Sequence, residues 1–205
     1  MKGGNGNDFK KLFDNQIQTL KERGCPEFIS GILGKVKTKV LAKVAKIKIG
    51  KNHTPFLPVI PYNYITVSSQ MGMVFNEGAV GYYNIGRCNS TSVNPFDDDL
   101  LSRPYYIFNI NFNTRIKKLE EVKEKDKRRQ AYLTGVEIIA LATHEKDVLK
   151  NRIIGLNSYC REWGVAYPFL FLHTTGQPIL GYLYYIEDES DKAYVIPSRD
   201  RSIVI

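Results

Sequence analysis

The sequence predicts an α+β fold: an N-terminal helical pair, then a mainly antiparallel sheet on which one or two helices pack. Three observations support this class. Apolar residues recur at helical spacing through the first 47 residues. From residue 55 onward, short runs rich in Val, Ile, Tyr and Phe predominate, as is typical of strands. These runs do not alternate regularly with helical segments, which argues against a doubly wound parallel sheet.

The first predicted helix begins near Asp8, a residue type favoured at N-caps. It ends at Gly24, which Pro26 follows. Residues 1–7 are rich in Gly and Asn, and we expect them to form a flexible N-terminus. The helical apolar stripe consists of Phe9, Leu12, Phe13, Ile17 and Leu20.

A second stripe predicts a basic amphipathic helix over residues 27–47. Lysines lie on a different face from the apolar residues, and Gly31 and Gly34 weaken the first turns. An extended conformation competes over Val44–Gly50, where apolar and polar residues alternate. The stripe consists of Ile29, Ile32, Leu33, Val36, Val40, Val44 and Ile47.

The middle of the chain is predicted to hold strands separated by long connections. Residues 84–104 are rich in Asn, Ser and Pro and predict a loop, and the charged block 115–129 predicts a short helix or a solvated connection. The predicted strands are Phe56–Ile60, Met71–Phe75 and Tyr105–Phe112. The aromatic residues of the last strand fit either a core or a base-stacking platform, and strand aromatics more often belong to a core.

The C-terminal third carries the most explicit local signals. Thr134 and Glu137 form a capping-box pattern that begins a helix ending near His144. A further helix is predicted over 145–159, and a last strand over 194–197. A β-hairpin is predicted from Tyr167–His173 and Ile179–Glu187. We therefore expect one α+β domain over residues 8–205, with a helical basic segment (8–50) and a sheet-rich part (55–205).

Positive charge is concentrated in one segment. The chain carries +8 overall, and residues 35–51 contain seven lysines and no acidic residue. The block 115–129 adds eight basic and four acidic residues. Such local charge favours a docking surface. The seven lysines are Lys35, Lys37, Lys39, Lys43, Lys46, Lys48 and Lys51.

Composition favours a cytoplasmic protein. Three widely spaced cysteines predict no disulfide framework. The N-terminus lacks the apolar run of a signal peptide, and no stretch approaches the roughly 20 apolar residues of a membrane span.

The lysine-rich segment suggests a non-enzymatic binding or accessory protein that docks on a polyanion such as RNA, DNA or a ribonucleoprotein. An acidic protein partner, as in a protein–protein interaction module, a membrane surface and a merely solvated face are the alternatives.

A small, hydrolase-like enzyme is another alternative, with a site near His144, Cys160 and His173. No catalytic residue is assigned, because nothing in the spacing requires these side chains to meet. We predict no metal site, since no His or Cys cluster has zinc spacing, and no cofactor, since no phosphate-binding loop occurs.

A set of segments occurs in a fixed order along the chain: Phe13–Leu20, Gly24–Pro26, Pro55–Ile60, Met71–Val74, Pro104–Ile107, Leu133–His144 with Val148–Leu149 after it, Leu156–Cys160, Tyr167–Leu172 and Gly176–Tyr182. In this order they resemble a bacterial family of uncharacterised proteins classed as a domain of unknown function. The resemblance covers roughly residues 12–186, and the lysine-rich run and the residues after Tyr182 differ from the family pattern. It implies one structural unit and no established activity.

Overall fold

In a computed structural model the chain is α+β, and helices at the N-terminus precede the sheets, as the sequence predicts. The structure describes residues 6–84, 94–95, 102–116, 130–159, 167–183 and 193–205. Most of the predicted loop 84–104, most of the charged block 115–129 and residues 1–5 lie outside these ranges.

The described helices are α1 (Gly6–Glu22), α2 (Glu27–Lys35), α3 (Lys37–Val44), α4 (Val67–Met71) and α5 (Gly135–His144), with a 3-10 turn over Lys146–Lys150. The strands are β1 (Thr54–Val59), β2 (Phe75–Asn76), β3 (Ala79–Val80), β4 (Tyr82–Tyr83), β5 (Asn94–Pro95), β6 (Tyr105–Ile110), β7 (Arg115–Ile116), β8 (Gln130–Tyr132), β9 (Arg152–Ile154), β10 (Ser158–Tyr159), β11 (Tyr167–Leu172), β12 (Pro178–Leu183), β13 (Tyr194–Val195), β14 (Ser198–Asp200) and β15 (Ile203–Val204).

The single helix predicted over residues 27–47 is wrong. Val36 separates α2 from α3 with φ −92° and ψ 9°, and helix ends at Val44. The break lets each short helix bury its own apolar pair, Ile29 with Leu33 and Val40 with Val44. Residues 45–53 form neither helix nor strand.

The described strands form two larger sheets and three two-stranded ones, β10-β5, β14-β8 and β2-β3. The two larger sheets position the helices. The smaller has the antiparallel order β1-β6-β15, in which Leu57 lies opposite Ile107. The larger is mixed, with the order β4-β12-β11-β9-β13-β7. Its centre is the predicted hairpin, β11 with β12, in which Leu170 lies opposite Leu180 and the turn carries Gly176 at φ +80°.

The core has two main parts on opposite faces of the small sheet. One face turns Phe56, Tyr106 and Phe108 toward α1, α2 and α3. The other turns Leu57 and Ile107 toward α5, which also contacts β9 and β11 of the large sheet. Because β1 and β6 are buried on both faces, the N-terminal helices rest on a rigid support.

Two further element predictions are wrong. Met71–Phe75 is not a strand, because Met71 is the last residue of α4 and β2 does not begin until Phe75. Residues 145–159 are not one helix but the 3-10 turn, β9 and β10. Ile153 and Ile154 are both fully buried, so this strand has no alternating pattern that would distinguish it from a helix.

Candidate functional site

The lysine surface, defined as the seven lysines of residues 35–51, spans two helices and the turn after them. Lys35 is the last residue of α2, and three more lysines belong to α3. The remaining three lie in the irregular stretch between α3 and β1. Five of the seven are exposed and two, Lys37 and Lys43, are half-buried. The exposed ones are Lys35, Lys39, Lys46, Lys48 and Lys51.

Lys37 differs from the others because it has a carboxylate partner. Its Nζ donates to Asp14 Oδ1 on α1 and lies 5.6 Å from the centroid of the Phe13 ring. These contacts join α3 to α1. We therefore assign Lys37 a packing role and exclude it from the candidate binding charges.

The other six lysines form no ion pair with a carboxylate within the described residues. Exposed charges of like sign in one short segment produce a positive potential above it. Six ammonium groups of this segment are thus without a carboxylate partner among the described residues, and five of them, all except Lys43, belong to exposed lysines.

The N-terminal part of the lysine surface is held by burial of its apolar side. Val40 and Val44 of α3 are 0% and 1% exposed and pack in the cluster with Phe56 and Tyr106. Full burial of one such side chain contributes about 1.5–3 kcal/mol. The backbone that presents Lys39 and Lys43 is therefore fixed by the core.

The C-terminal part is anchored by Asn109 of β6. Its Oδ1 accepts a hydrogen bond from Gly50 N at 3.0 Å and lies 2.8 Å from His53 Nδ1. Its Nδ2 donates to Asp200 Oδ1 at 3.2 Å. A Cβ at Gly50 would lie 2.5 Å from the His53 ring, so the close approach requires glycine here. Asn109 has φ +53°, a strained conformation that these bonds help to maintain.

Of the residues proposed for an enzyme site, His144, Cys160 and His173, the two histidines form no hydrogen bond with one another in the described part of the chain. His144 ends α5, whereas His173 is exposed at the β11–β12 turn, where its Nδ1 lies 3.0 Å from Thr175 Oγ1. Cys160 lies outside the described residues.

His144 borders a small pocket between α1, the end of β1, α4 and α5. The residue as a whole is half-buried, whereas its Nε2 is buried and has no hydrogen-bond partner among the residues that the structure describes. Burial, with a smaller contribution from the Arg23 charge, lowers the pKa of His144 to about 3. Leu20, Ile60, Met73 and Ile139 line this pocket together with His144. A neutral imidazole among these side chains is a poor base near neutral pH.

Sequence reasoning missed a buried polar cluster on α5. Glu137 is fully buried, and its Oε1 accepts hydrogen bonds from Arg199 Nε at 2.9 Å and Tyr105 OH at 3.1 Å. Its Oε2 accepts from Thr134 N at 2.9 Å, which completes the predicted capping box. The capping pattern located Glu137, but nothing local indicated Arg199. All these partners belong to the protein, so we assign the cluster a structural role.

The aromatic strand belongs to the core. Tyr105, Tyr106 and Phe108 are each 0% exposed and cannot serve as a stacking platform. Within the described ranges, no group of three or more His, Cys, Asp or Glu side chains could hold a metal ion. None of the helices described has the length and apolar character to cross a bilayer.

Comparison with known proteins adds no relative: no family model matches the chain, and neither does any curated protein or solved structure. The resemblance to a family of uncharacterised bacterial proteins therefore stays a prediction.

Proposed function

We propose that this protein is a non-enzymatic binding protein that docks on the phosphate backbone of a nucleic acid through the lysine surface. The observation that carries the proposal is six lysines within 17 residues that no described carboxylate neutralises. Each phosphate contact releases condensed counterions, so affinity should fall steeply as salt is raised.

Burial of the helices favours nucleic acid over a lipid surface. A basic amphipathic helix binds a membrane by inserting its apolar face among the lipids. Here Val40 and Val44, on the apolar face of α3, are already buried against the protein core. This face is not free for lipid, whereas the ammonium groups need no rearrangement to meet phosphates.

Charge reversal tests the proposal. We expect the triple variant Lys39→Glu, Lys46→Glu and Lys51→Glu to lose most of its affinity for a fluorescein-labelled DNA duplex, measured by anisotropy at several salt concentrations. For wild type, the slope of log K against log salt should be no steeper than about −5, if all six lysines contact phosphates. The variant's slope should be shallower by about 2.7, because each lost phosphate contact removes about 0.9.

A matched control removes the effect of net charge. Lys10, Lys11 and Lys146 are exposed and lie outside the lysine surface. Their joint change to Glu lowers the net charge from +8 to +2, as the first triple variant does, because each Lys→Glu change subtracts two charges. If both triple variants bind the duplex equally well, the lysine surface is not the binding site.

A further inference from the structure

The outer face of α2 exposes an aromatic ring beside the lysine surface. Phe28 is 60% exposed, more than any other large apolar side chain in the ranges that the structure describes. Its neighbours Ile29 and Leu33 are fully buried, so α2 packs with its other side and leaves Phe28 in solvent. A mostly exposed aromatic side chain adds little to the core, and aromatic residues are enriched at binding interfaces.

The same face contains a glycine that the fold does not require. A Cβ at Gly31 would meet no atom within 4 Å, and the same holds for Gly34. Neither residue has a positive φ. Each glycine inside a helix costs about 1 kcal/mol relative to alanine. Since neither packing nor backbone conformation explains Gly31, its lack of a side chain suits close approach by something outside the protein.

Helical geometry places Phe28, Gly31 and Lys35 along one face of α2. At 100° per residue, Gly31 lies about 60° and Lys35 about 20° around the helix from Phe28. The rise from Phe28 to Lys35 is about 10 Å, and the lysines of α3 follow. A ligand for this face therefore needs a planar apolar group close to several negative charges.

We infer that Phe28 stacks on an unpaired base of a single-stranded nucleic acid whose phosphates contact the lysine surface. The inference rests on the proposed function and specifies its substrate. A single strand offers both bases and phosphates, and aromatic stacking is tolerant of sequence because every base has a π-face. A duplex keeps its bases paired and stacked, so it offers only phosphates to this surface.

A membrane is the competing ligand, and the structure disfavours it. Anionic lipid would also attract lysines, and an exposed Phe can enter the lipid interface. On α2, however, Phe28 is the one large apolar side chain that is exposed, and Ile32 is half-buried. One ring provides little apolar area for a bilayer but is enough for one base.

The test compares Phe28 variants on two labelled DNA probes of about 20 nucleotides, single-stranded oligothymidylate and a duplex. We expect Phe28→Ala to weaken binding to oligothymidylate by about 5- to 150-fold and to leave duplex binding unchanged. Phe28→Leu should lose as much, because it keeps an apolar side chain but not a π-face. Phe28→Trp should retain the affinity of wild type.

Gly31→Leu is a second probe of the same face. A leucine at i+3 lies about 5–6 Å from Phe28, measured between Cβ atoms, and would cover the ring. We expect weaker oligothymidylate binding together with a melting temperature at or above that of wild type, since leucine favours helix. Loss of binding without loss of stability distinguishes a ligand-facing role from a structural one.

Three outcomes would overturn the inference. Equal binding of oligothymidylate by wild type and Phe28→Ala excludes stacking, while the lysine variants still test the proposed function separately. Sedimentation of wild type and Phe28→Leu, but not Phe28→Ala, with phosphatidylserine-containing vesicles would assign the ring to lipid. If wild type binds neither DNA probe, the proposed function fails together with the inference.

Discussion

At the residue scale, His144 combines a buried nitrogen with a nearby cation. Its Nε2 has no hydrogen-bond partner in the described part of the chain. Arg23, whose Nη1 donates to Met73 O at 2.9 Å, lies close enough to disfavour a charge on the imidazole. Protonation of His144 would place a buried positive charge within reach of the Arg23 guanidinium. Protonation of the imidazole therefore opposes folding, which makes the stability of the fold sensitive to acid.

The pH dependence of stability should reflect this histidine. The folded pKa of about 3 lies below the ordinary value of 6.5, so between these values the unfolded chain binds a proton that the folded chain does not. The contribution to stability is present above about pH 6.5 and is lost as pH falls toward 3. At about pH 5 it should lower the free energy of unfolding by about 2 kcal/mol.

Urea denaturation of wild type and His144→Gln at about pH 5 and 7.5 measures this contribution. The variant should lose less stability on acidification, by about 2 kcal/mol. Burial raises the pKa of neighbouring Glu145, which acts in the opposite direction, but Glu145 is present in both proteins and its effect cancels. Equal acid sensitivity in the two proteins would contradict the account.

At the element scale, substitution by alanine should have opposite effects on stability at Gly31 and at Gly24. Gly31 has an ordinary helical φ, whereas Gly24, after α1, has φ +83°, and a Cβ would meet no neighbour at either position. Gly31→Ala should therefore raise the free energy of unfolding by about 0.5–1 kcal/mol. Gly24→Ala should lower it by about 1–2 kcal/mol, because alanine is strained there. Thermal denaturation of both variants checks the signs, and a stabilised Gly24→Ala protein would refute the explanation.

Elements whose signals are local could be predicted from the sequence. Thr134 and Glu137 satisfy each other's backbone groups three residues apart, and the β11–β12 hairpin contains its own turn residue, Gly176. The strand Arg152–Ile154 could not be predicted, because its conformation depends on pairing with β11 and β13. The break at Val36 likewise depends on how α2 and α3 pack against the rest of the protein, and the local sequence pattern does not predict that packing.

The same distinction applies to the candidate site. The seven lysines are visible in the sequence, but the neutralisation of Lys37 is not, because Asp14 lies 23 residues away. The anchoring of Gly50 by Asn109 spans 59 residues, and the exposure of Phe28 depends on which side of α2 meets the core. Charge concentration was predictable, whereas its geometry required the tertiary structure.

At the scale of the whole molecule, the small sheet is a buried layer, and the N-terminal helices that carry most of the lysine surface pack on it. The small sheet has its β1 and β6 strands buried on both faces, and the N-terminal helices cover one of these faces with their apolar sides. Their polar sides remain for solvent or a ligand. This arrangement explains how a segment with seven lysines can be ordered although, among the described residues, only Lys37 pairs with a carboxylate. The position of the segment is determined by apolar burial and by the Asn109 hydrogen bonds.

Lysine footprinting tests the central claim most directly. The wild-type protein would be acetylated with and without oligothymidylate, and modification at each lysine quantified by mass spectrometry. Binding should protect Lys35, Lys39, Lys46, Lys48 and Lys51, because their ammonium groups would contact phosphates. Lys10, Lys11 and Lys146 should react equally in both samples. Protection confined to lysines outside residues 35–51, or unchanged reactivity of the lysine surface in a bound complex, would contradict the account.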